Sequence, residues 1–576
     1  MAQKIDKVIP KTGQFILLLI GINILMTSVL LICHISVSPY HFPVSYVLTA
    51  VCFYILHRSA KDVFWLWGIV ISTMVVIAAI LLSTFINEIA YDGNLYHKFA
   101  TGILSMGWNP IYGNIHEYVD SLGIPDSALS MTDIWASCYP KASWYFDSTV
   151  YALVGSVEAA KIFNFLVFAA VFGICFEYFR TKLKRGQAFA ISLIFTGIPV
   201  SFAQLFTYYL DGALGQLLVA SIILLLSLTE NAETGENRTR LLYLAITVII
   251  CSNLKITGLA FEAFFCGGFF IYWCALARKD KSVSNNIKLI KRNFLKVIGY
   301  YTVVVFVSVG VVGAGTYLTN MRDYGNPFYP VLGSSELNFS NSLKSVGLED
   351  ASPIRQLLTM VFVRSSTDDS NPVLQWKVPF SFHTDEFLKC CQDNIRGGAG
   401  VFFSGILCVS IIMLIYMIIK LRKTRKKEIK SISLIILISF LLMCIMPAGG
   451  QVRYSPYIYF GPYFTIFLWM LYLNDYKVKS IVKRLIGYMM IAISIVNAFI
   501  FSEYIVRGIV ESKDYSAKYS LIQESGGKVE ISTPLPGIVF NFIDRDIEYR
   551  YNMEKELVDG EMAYLKLKYD YLYGEK

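Results

Sequence analysis

The chain consists of long apolar runs interrupted by short clusters of charge. A hydrocarbon core about 30 Å thick takes roughly 20 apolar residues per helix, and windows near that length, bounded by charge or by Gly, Pro and Asn, recur from one end to the other. They fall near 15–35, 42–56, 63–86, 160–179, 187–202, 212–228, 241–252, 258–276, 297–318, 399–419, 432–446, 457–473 and 485–504. The pattern predicts an all-α polytopic membrane protein with about thirteen transmembrane helices. The windows starting near Phe42, Gln187, Leu241 and Ile432 are short, and losing any one of them would invert everything downstream. Charge therefore has to arbitrate.

Taking the N-terminus with Lys4, Lys7 and Lys11 as cytoplasmic, alternate loops should be basic. They are: Arg58 and Lys61, then Arg180, Lys182, Lys184 and Arg185, then the stretch from Arg278 to Lys296. The runs Lys420 to Lys430 and Lys477 to Arg484 obey the same parity, and the loop at 230–240 is mixed. The opposite loops are long and not basic. The first window follows a basic start as a signal peptide does, but no small-residue cleavage site comes after it, so it reads as a membrane helix. The reading is a multi-pass protein of a cell membrane, plasma or bacterial inner, with its N-terminus inside and its C-terminus outside. Residues 1–506 form the transmembrane unit, with outer loops at about 87–149 and 319–398. Residues 507–576 form a small extracytoplasmic tail domain, in which GKVEIST, DIEYRYN and AYLKLKYDYLYG alternate like short strands.

Composition narrows the class further. Of 576 residues 55% are hydrophobic and only 16% charged, with a mean hydropathy of +0.53, whereas a soluble chain carries about 25% charged residues. Disorder, collagen-like repeats and a disulfide scaffold are excluded by 15% aromatics, 39 glycines and 11 cysteines. The net charge of +9 sits largely in the loops assigned to the cytoplasm, so it records orientation and no nucleic-acid partner is expected. Most cysteines lie in apolar windows as packing residues. Cys138, Cys390 and Cys391 are predicted outside, where one loop-to-loop disulfide can form.

Chemistry concentrates at the predicted outer helix ends. The first outer loop carries Glu88, Asp92 and His97 among tyrosines, then Trp108 in a Trp-Asn-Pro turn. Glu88 and Asp92 are four apart and share a face if the helix persists, an arrangement suited to acid/base work. Tyr209 and Asp211 in Tyr-Tyr-Leu-Asp-Gly, Lys255 in Asn-Leu-Lys-Ile-Thr-Gly, Arg322 and Arg453 share the same parity. Ionisable groups at that depth are costly unless paired or wetted, so they mark a cavity. An acid with several cations suits a phosphate-linked substrate, the cations holding phosphate and the acid taking a hydroxyl proton. Snorkelling to headgroups is the competing reading for Lys255 and Arg453. The glycines before Arg453 favour function there, because they admit close backbone approach. Glu262, inside a window, faces either a partner such as Lys255 or the cavity, and structural pairing is the expectation.

This layout resembles the GT-C superfamily of membrane glycosyltransferases, which use sugars carried on polyprenyl phosphate or pyrophosphate. The likeness rests on the many spans, on Tyr91-Asp92-Gly93 just after an early helix, on the segments at 208–212 and 252–258, on Gly-Asn-Pro-Phe-Tyr-Pro at 325–330 and on the late Arg453-Tyr454. It implies that Asp92 is the base that deprotonates the acceptor hydroxyl, with Asp211 the alternative, and Glu88 and His97 as further catalytic candidates. It also implies that Arg453, with Lys255, Arg322, Tyr209 and Trp108, lies near the lipid phosphate and sugar. The donor would be a polyprenyl-phosphate sugar and the acceptor an extracytoplasmic glycan, lipid or protein of the cell envelope. Some members use a divalent metal; no metal-spaced cluster beyond Glu88, Asp92 and His97 is visible, so no metal or other cofactor is expected. The chain departs from the family layout in having two helices before the one that leads into the loop.

Two rival readings remain at this stage. A polymerase or ligase of lipid-linked glycans would rely on Arg355, Arg364, Lys377, His383 and Arg396 in the second outer loop. A transporter or flippase would be expected to show an internal repeat and midplane cavity residues, and the sequence shows neither.

Overall fold

The computed structural model describes residues 2–58, 63–230, 237–279, 287–332, 347–348, 350–366, 373–389, 397–421, 426–445 and 451–572. Helix accounts for 74% of the structure. Among the described residues nine helices are long and apolar enough to cross a membrane: Lys4–Ile32, Phe64–Thr84, Val157–Arg180, Asp211–Glu230, Ile256–Leu276, Phe294–Val312, Phe403–Lys420, Lys427–Ile445 and Ile481–Glu524. The other four predicted windows are helical but shorter. His41–His57 has 17 residues, Asn237–Ser252 has 16 and Phe460–Asp475 has 16. The window at 187–202 is split into Arg185–Thr196 and Pro199–Ala203, because Gly197 leaves helical geometry and Pro199 can enter a helix only at its first turn. The window near Ile432, read as short, belongs to one of the nine long helices, and the one at 457–473 is the short one instead.

The helices run between two ends, each of which is tied together by side chains. At one end Asp6 binds Arg180 (3.1 Å) and Arg185 (2.9 Å), Lys182 binds Glu230 (2.8 Å), and Asn474 donates to Gln187 (2.9 Å). At the other end the Asp92 amide donates to the Tyr209 hydroxyl (3.3 Å), Lys255 pairs with Asp211, and Arg453 meets Asp92 (3.5 Å). Asp211–Glu230 carries a residue of each set and so runs from one end to the other, and Phe163–Arg180 does so through Asn164, which donates to the Tyr209 carbonyl (2.6 Å).

Close packing in the centre follows from small residues. A Cβ on Gly13 would lie 2.6 Å from the Ala170 carbonyl oxygen and 2.8 Å from the Gly173 Cα. Only glycine lets the first helix touch the backbone of Phe163–Arg180, and with no hydrophobic drive between helices in lipid such contact is what holds a pair.

The long connection at 87–149 is mostly helical. A π-turn Gly93–His97 runs into Lys98–Ser105, and Ala142–Val154, buried from Ala142 to Tyr151, packs against the first helix, where Asn23 donates to the Thr149 hydroxyl (3.0 Å). The last apolar helix continues past Tyr504, where its hydropathy falls, as Glu503–Glu524. Its inward residues Tyr504, Gly508, Ser512, Tyr515, Tyr519 and Ile522 recur at three- and four-residue spacing, a helical period that a hydropathy window averages away. The tail then forms a four-stranded sheet in the order β2-β1-β4-β3, from β1 (Lys528–Ser532), β2 (Glu548–Tyr551), β3 (Gly560–Met562) and β4 (Leu567–Tyr571). The three alternating segments of the sequence contain β1, β2 and β4.

Between β1 and β2 the turn Pro536–Ile538 and helix Val539–Ile543 pack into the 87–149 connection. A Cβ on Gly102 would lie 2.2 Å from Cζ of the Phe540 ring, and Asn541 is buried beside Lys98. The tail is thus part of the wall of that connection. Cys138 is buried as a free thiol; Cys390 and Cys391 lie outside the described residues.

Candidate functional site

Asp92 is placed by backbone. After the helix Phe64–Thr84 the chain turns extended, and Glu88, fully buried, accepts hydrogen bonds from the Ala90 amide (2.7 Å) and the Tyr208 amide (2.5 Å). Its own amide donates to Glu158 (2.8 Å). Glu88 therefore straps the Asp92 segment to the Tyr208–Asp211 segment. The expected shared helical face with Asp92 does not form, because the helix has already ended. Burial raises the Glu88 carboxyl to about 7, against the pull of the Tyr208 amide, Lys161, the Ala90 amide and Lys98.

Four interhelical connections then converge. Arg453 sits in a 3-10 turn, Val452–Tyr454, with Nη1 at 3.5 Å from Asp92 Oδ2 and Nη2 donating to the Tyr454 hydroxyl (2.5 Å). Its guanidinium lies over the rings of Tyr454 (4.7 Å) and Tyr209 (5.3 Å). Lys255 lies over the same Tyr454 ring (5.0 Å) and pairs with Asp211. Two cations thus share an aromatic floor that favours positive charge while keeping each near a carboxylate. The two acids differ. The Asp211 side chain is 1% exposed and also accepts from Gln204 (3.3 Å), whereas that of Asp92 is 26% exposed. At 3.5 Å the Arg453–Asp92 contact is longer than the 2.7–2.9 Å of a tight charge-assisted hydrogen bond, which leaves room for a competing anion.

An aromatic wall closes one side. Tyr96 stacks on Trp135 (5.6 Å) and Tyr139 on Trp144 (6.0 Å), with His97 between them. The Trp144 indole N–H donates to His97 Nδ1 (2.8 Å). Indole only donates, so Nδ1 offers its lone pair and the neutral ring carries its proton on Nε2. Burial, then Lys255 and Arg453, hold the His97 pKa well below 6.5. His97 is a fixed Nε2–H donor. Burial and then Asp92 raise Tyr96, and burial and then Asp211 raise Tyr139, so both hydroxyls remain donors too.

Other candidates lie elsewhere. Arg322 is 58% exposed, paired with its neighbour Asp323 (2.6 Å) and donating to the Ile111 carbonyl (3.0 Å). Trp108 is buried in the core beside the turn to Gly113. Glu262 accepts from Ser221 (2.7 Å) and Cys266, while Lys255, its suggested partner, serves Asp211. Glu88 is committed to amides and His97 to Trp144. Among the described residues no three His, Cys, Asp or Glu groups are arranged to hold a metal. In the connection at 319–398 Lys377 is buried against Glu386 (2.8 Å) and Arg364 meets His383, contacts that knit its described part; Arg396 and the glycines at 449 and 450 lie outside the described residues.

The aromatic wall and the buried set Lys98, Glu158, Lys161 and Asn541 were not singled out from sequence. The only signal for the wall is the density of Trp and Tyr between Trp135 and Tyr145. No known protein family, curated protein or solved structure matches the chain.

Proposed function

We propose that the protein is a GT-C-type membrane glycosyltransferase with thirteen membrane crossings, its N-terminus cytoplasmic and the Asp92 end of the bundle outside. It moves a sugar from a polyprenyl-phosphate carrier to an acceptor of the cell envelope. The observation that carries this reading is the meeting of Asp92 and Arg453, 361 residues apart in sequence, beside the Lys255–Asp211 pair on a common tyrosine floor. A partly exposed acid next to two fixed cations suits displacement at an anomeric carbon. Asp92 takes the proton of the acceptor hydroxyl as its oxygen bonds to the sugar. The sugar–phosphate bond breaks, and the departing phosphate takes its charge to Arg453 and Lys255, which are already oriented for it. Asp211, sealed and ion-paired, holds Lys255. His97, Tyr96 and Tyr139 supply neutral donors along the wall for sugar hydroxyls.

The test is sugar transfer by the purified protein from a polyprenyl-phosphate donor. General-base catalysis contributes about 10²–10⁴-fold, so Asp92→Asn should lower turnover by that order while donor binding persists, and Arg453→Ala should weaken donor binding. Unchanged turnover in Asp92→Asn removes the assignment of the base.

A further inference from the structure

The described part of the 319–398 connection turns apolar side chains outward and polar ones inward. On helix Pro353–Phe362 the first two turns expose Ile354 and Leu358, which are four apart and share a face. Gln356 and Thr359, on the opposite face, are buried. Both are satisfied locally, Gln356 donating to the Ala351 carbonyl (3.0 Å) and Thr359 to the Arg355 carbonyl (2.9 Å). The extended segment 375–378 pairs with the end of this helix through Val363 and Trp376 and repeats the inversion. Successive side chains of an extended segment point to opposite sides. The Lys377 side chain, 2% exposed, turns in to Glu386 and the Val401 carbonyl (3.0 Å), while its neighbours Trp376 and Val378 are 53% and 73% exposed. Phe382 and Leu388 are exposed as well. A connection surrounded by water would bury the other set, and large apolar side chains gathered on one surface mark an interaction site.

What covers this surface follows from where it joins the bundle. Phe380, held at φ +64°, a costly backbone conformation for a bulky residue, seats its ring on Gly405, where a Cβ would lie 2.4 Å from the ring atoms. Gly405 belongs to the apolar helix Phe403–Lys420, long enough to cross a membrane. Ile412 and Ile419 follow at intervals of seven, so they lie on the same face of that helix as Gly405, and both are exposed. Phe380 thus caps the stripe by which the helix faces hydrocarbon, with Ile412 about 10 Å further into the span at 1.5 Å per residue. The Phe382 ring is 6.0 Å from that of Phe402, one residue before the same helix. This end of the helix is the one near the Asp92 cluster, since Tyr459, close after Arg453, donates to the Ala399 carbonyl (3.2 Å). The inverted surface is therefore level with the first turn of a membrane helix, the depth at which tryptophan is enriched. Arg355, exposed beside Ile354, has the length to reach headgroups from there.

We propose that this surface of the connection lies in the lipid surface at the Arg453 end of the bundle, with Ile354, Leu358, Trp376, Val378, Phe382 and Leu388 sunk to the boundary of headgroups and acyl chains. The partner is the leaflet as a whole, and the contact does not depend on the reaction assigned to the Asp92 cluster.

The experiment uses the full chain, a single copy in each phosphatidylcholine nanodisc, and reads Trp376 as the difference in fluorescence between the native chain and Trp376→Phe. Lipid brominated in the upper acyl chain should quench that component by about half or more. Ile354→Trp, a change at an exposed position, places a second probe on the helix face. Its added fluorescence over the native chain should be quenched to a similar degree, and it serves alone if Trp376→Phe does not fold. A component that brominated lipid leaves unchanged overturns the proposal. Aqueous iodide then tells the two causes apart: quenching by iodide puts the surface in water, and protection from both quenchers puts it under protein.

Discussion

Glu158 is the residue on which the attachment of the tail to the 87–149 connection turns, and Glu158→Gln tests that. Its carboxylate, 3% exposed, accepts from Lys98 (2.7 Å) and Asn541 (2.8 Å) on one oxygen and from Lys161 (2.5 Å) and the Glu88 amide (2.8 Å) on the other. Both lysine side chains are fully buried. Glutamine keeps the shape, but it removes the anion two buried cations share and turns one acceptor oxygen into a donor facing donors. Removing one partner of a buried pair costs about 3–5 kcal/mol. Asn541→Leu leaves both lysines paired with Glu158 and removes the hydrogen bonds of Asn541 to the Glu158 carboxylate and from the Lys98 ammonium, about 1.5–3 kcal/mol. Local opening can be read as amide hydrogen exchange across 536–543, where 1.4 kcal/mol is about tenfold in rate. Exchange there should quicken by more than a hundredfold in Glu158→Gln, and by about ten- to a hundredfold in Asn541→Leu. Native-like exchange in Glu158→Gln, or a larger effect from Asn541→Leu, would refute the ionic clamp.

Further outcomes follow from the site. Because the Trp144 indole holds His97 as an Nε2–H donor, His97→Gln should retain more transfer activity than His97→Ala, and because burial, Lys255 and Arg453 keep the ring neutral, no limb near pH 6.5 should appear in the native rate profile. Equal activity in the two variants, or such a limb, would count against a fixed neutral donor. Glu88 titrates near 7 when folded and near 4.5 when unfolded, so between those values the folded state holds the extra proton. Its contribution to stability is whole below about pH 4.5 and is lost as pH rises through about 7. The thermal midpoint of the native chain should therefore fall relative to that of Glu88→Gln over that range, and a constant offset would contradict it. Gly102→Leu should undock Phe540 and expose the tail to protease while the apolar helices remain resistant. Arg453→Lys should preserve more donor affinity than Arg453→Ala but less than arginine, since a single ammonium cannot pair with a phosphate through two parallel N–H donors.

The membrane class, the helical windows and the sorting of connections into two ends were legible in the sequence. Each rests on local quantities: apolar run length against the bilayer, and basic residues on alternate loops. The acid and the cations of the site were legible as well, since charge at an outer helix end is costly enough to stand out. What the chain could not reveal alone is which of those charges meet. Arg322 has the same parity as Arg453 but pairs with Asp323 at the surface; Glu88 lies four residues from Asp92 yet serves as a strap. Partner choice among Asp92, Asp211, Lys255 and Arg453 depends on how helices far apart in sequence pack, and the glycines that let their backbones touch set that packing. Likewise the tail reads as a short accessory sheet, and only its folding against Lys98 and Glu158 makes it part of the wall beside Asp92. Run length and charge bias are properties of a segment, whereas a buried pair is a property of two segments at once, and tertiary structure decides it.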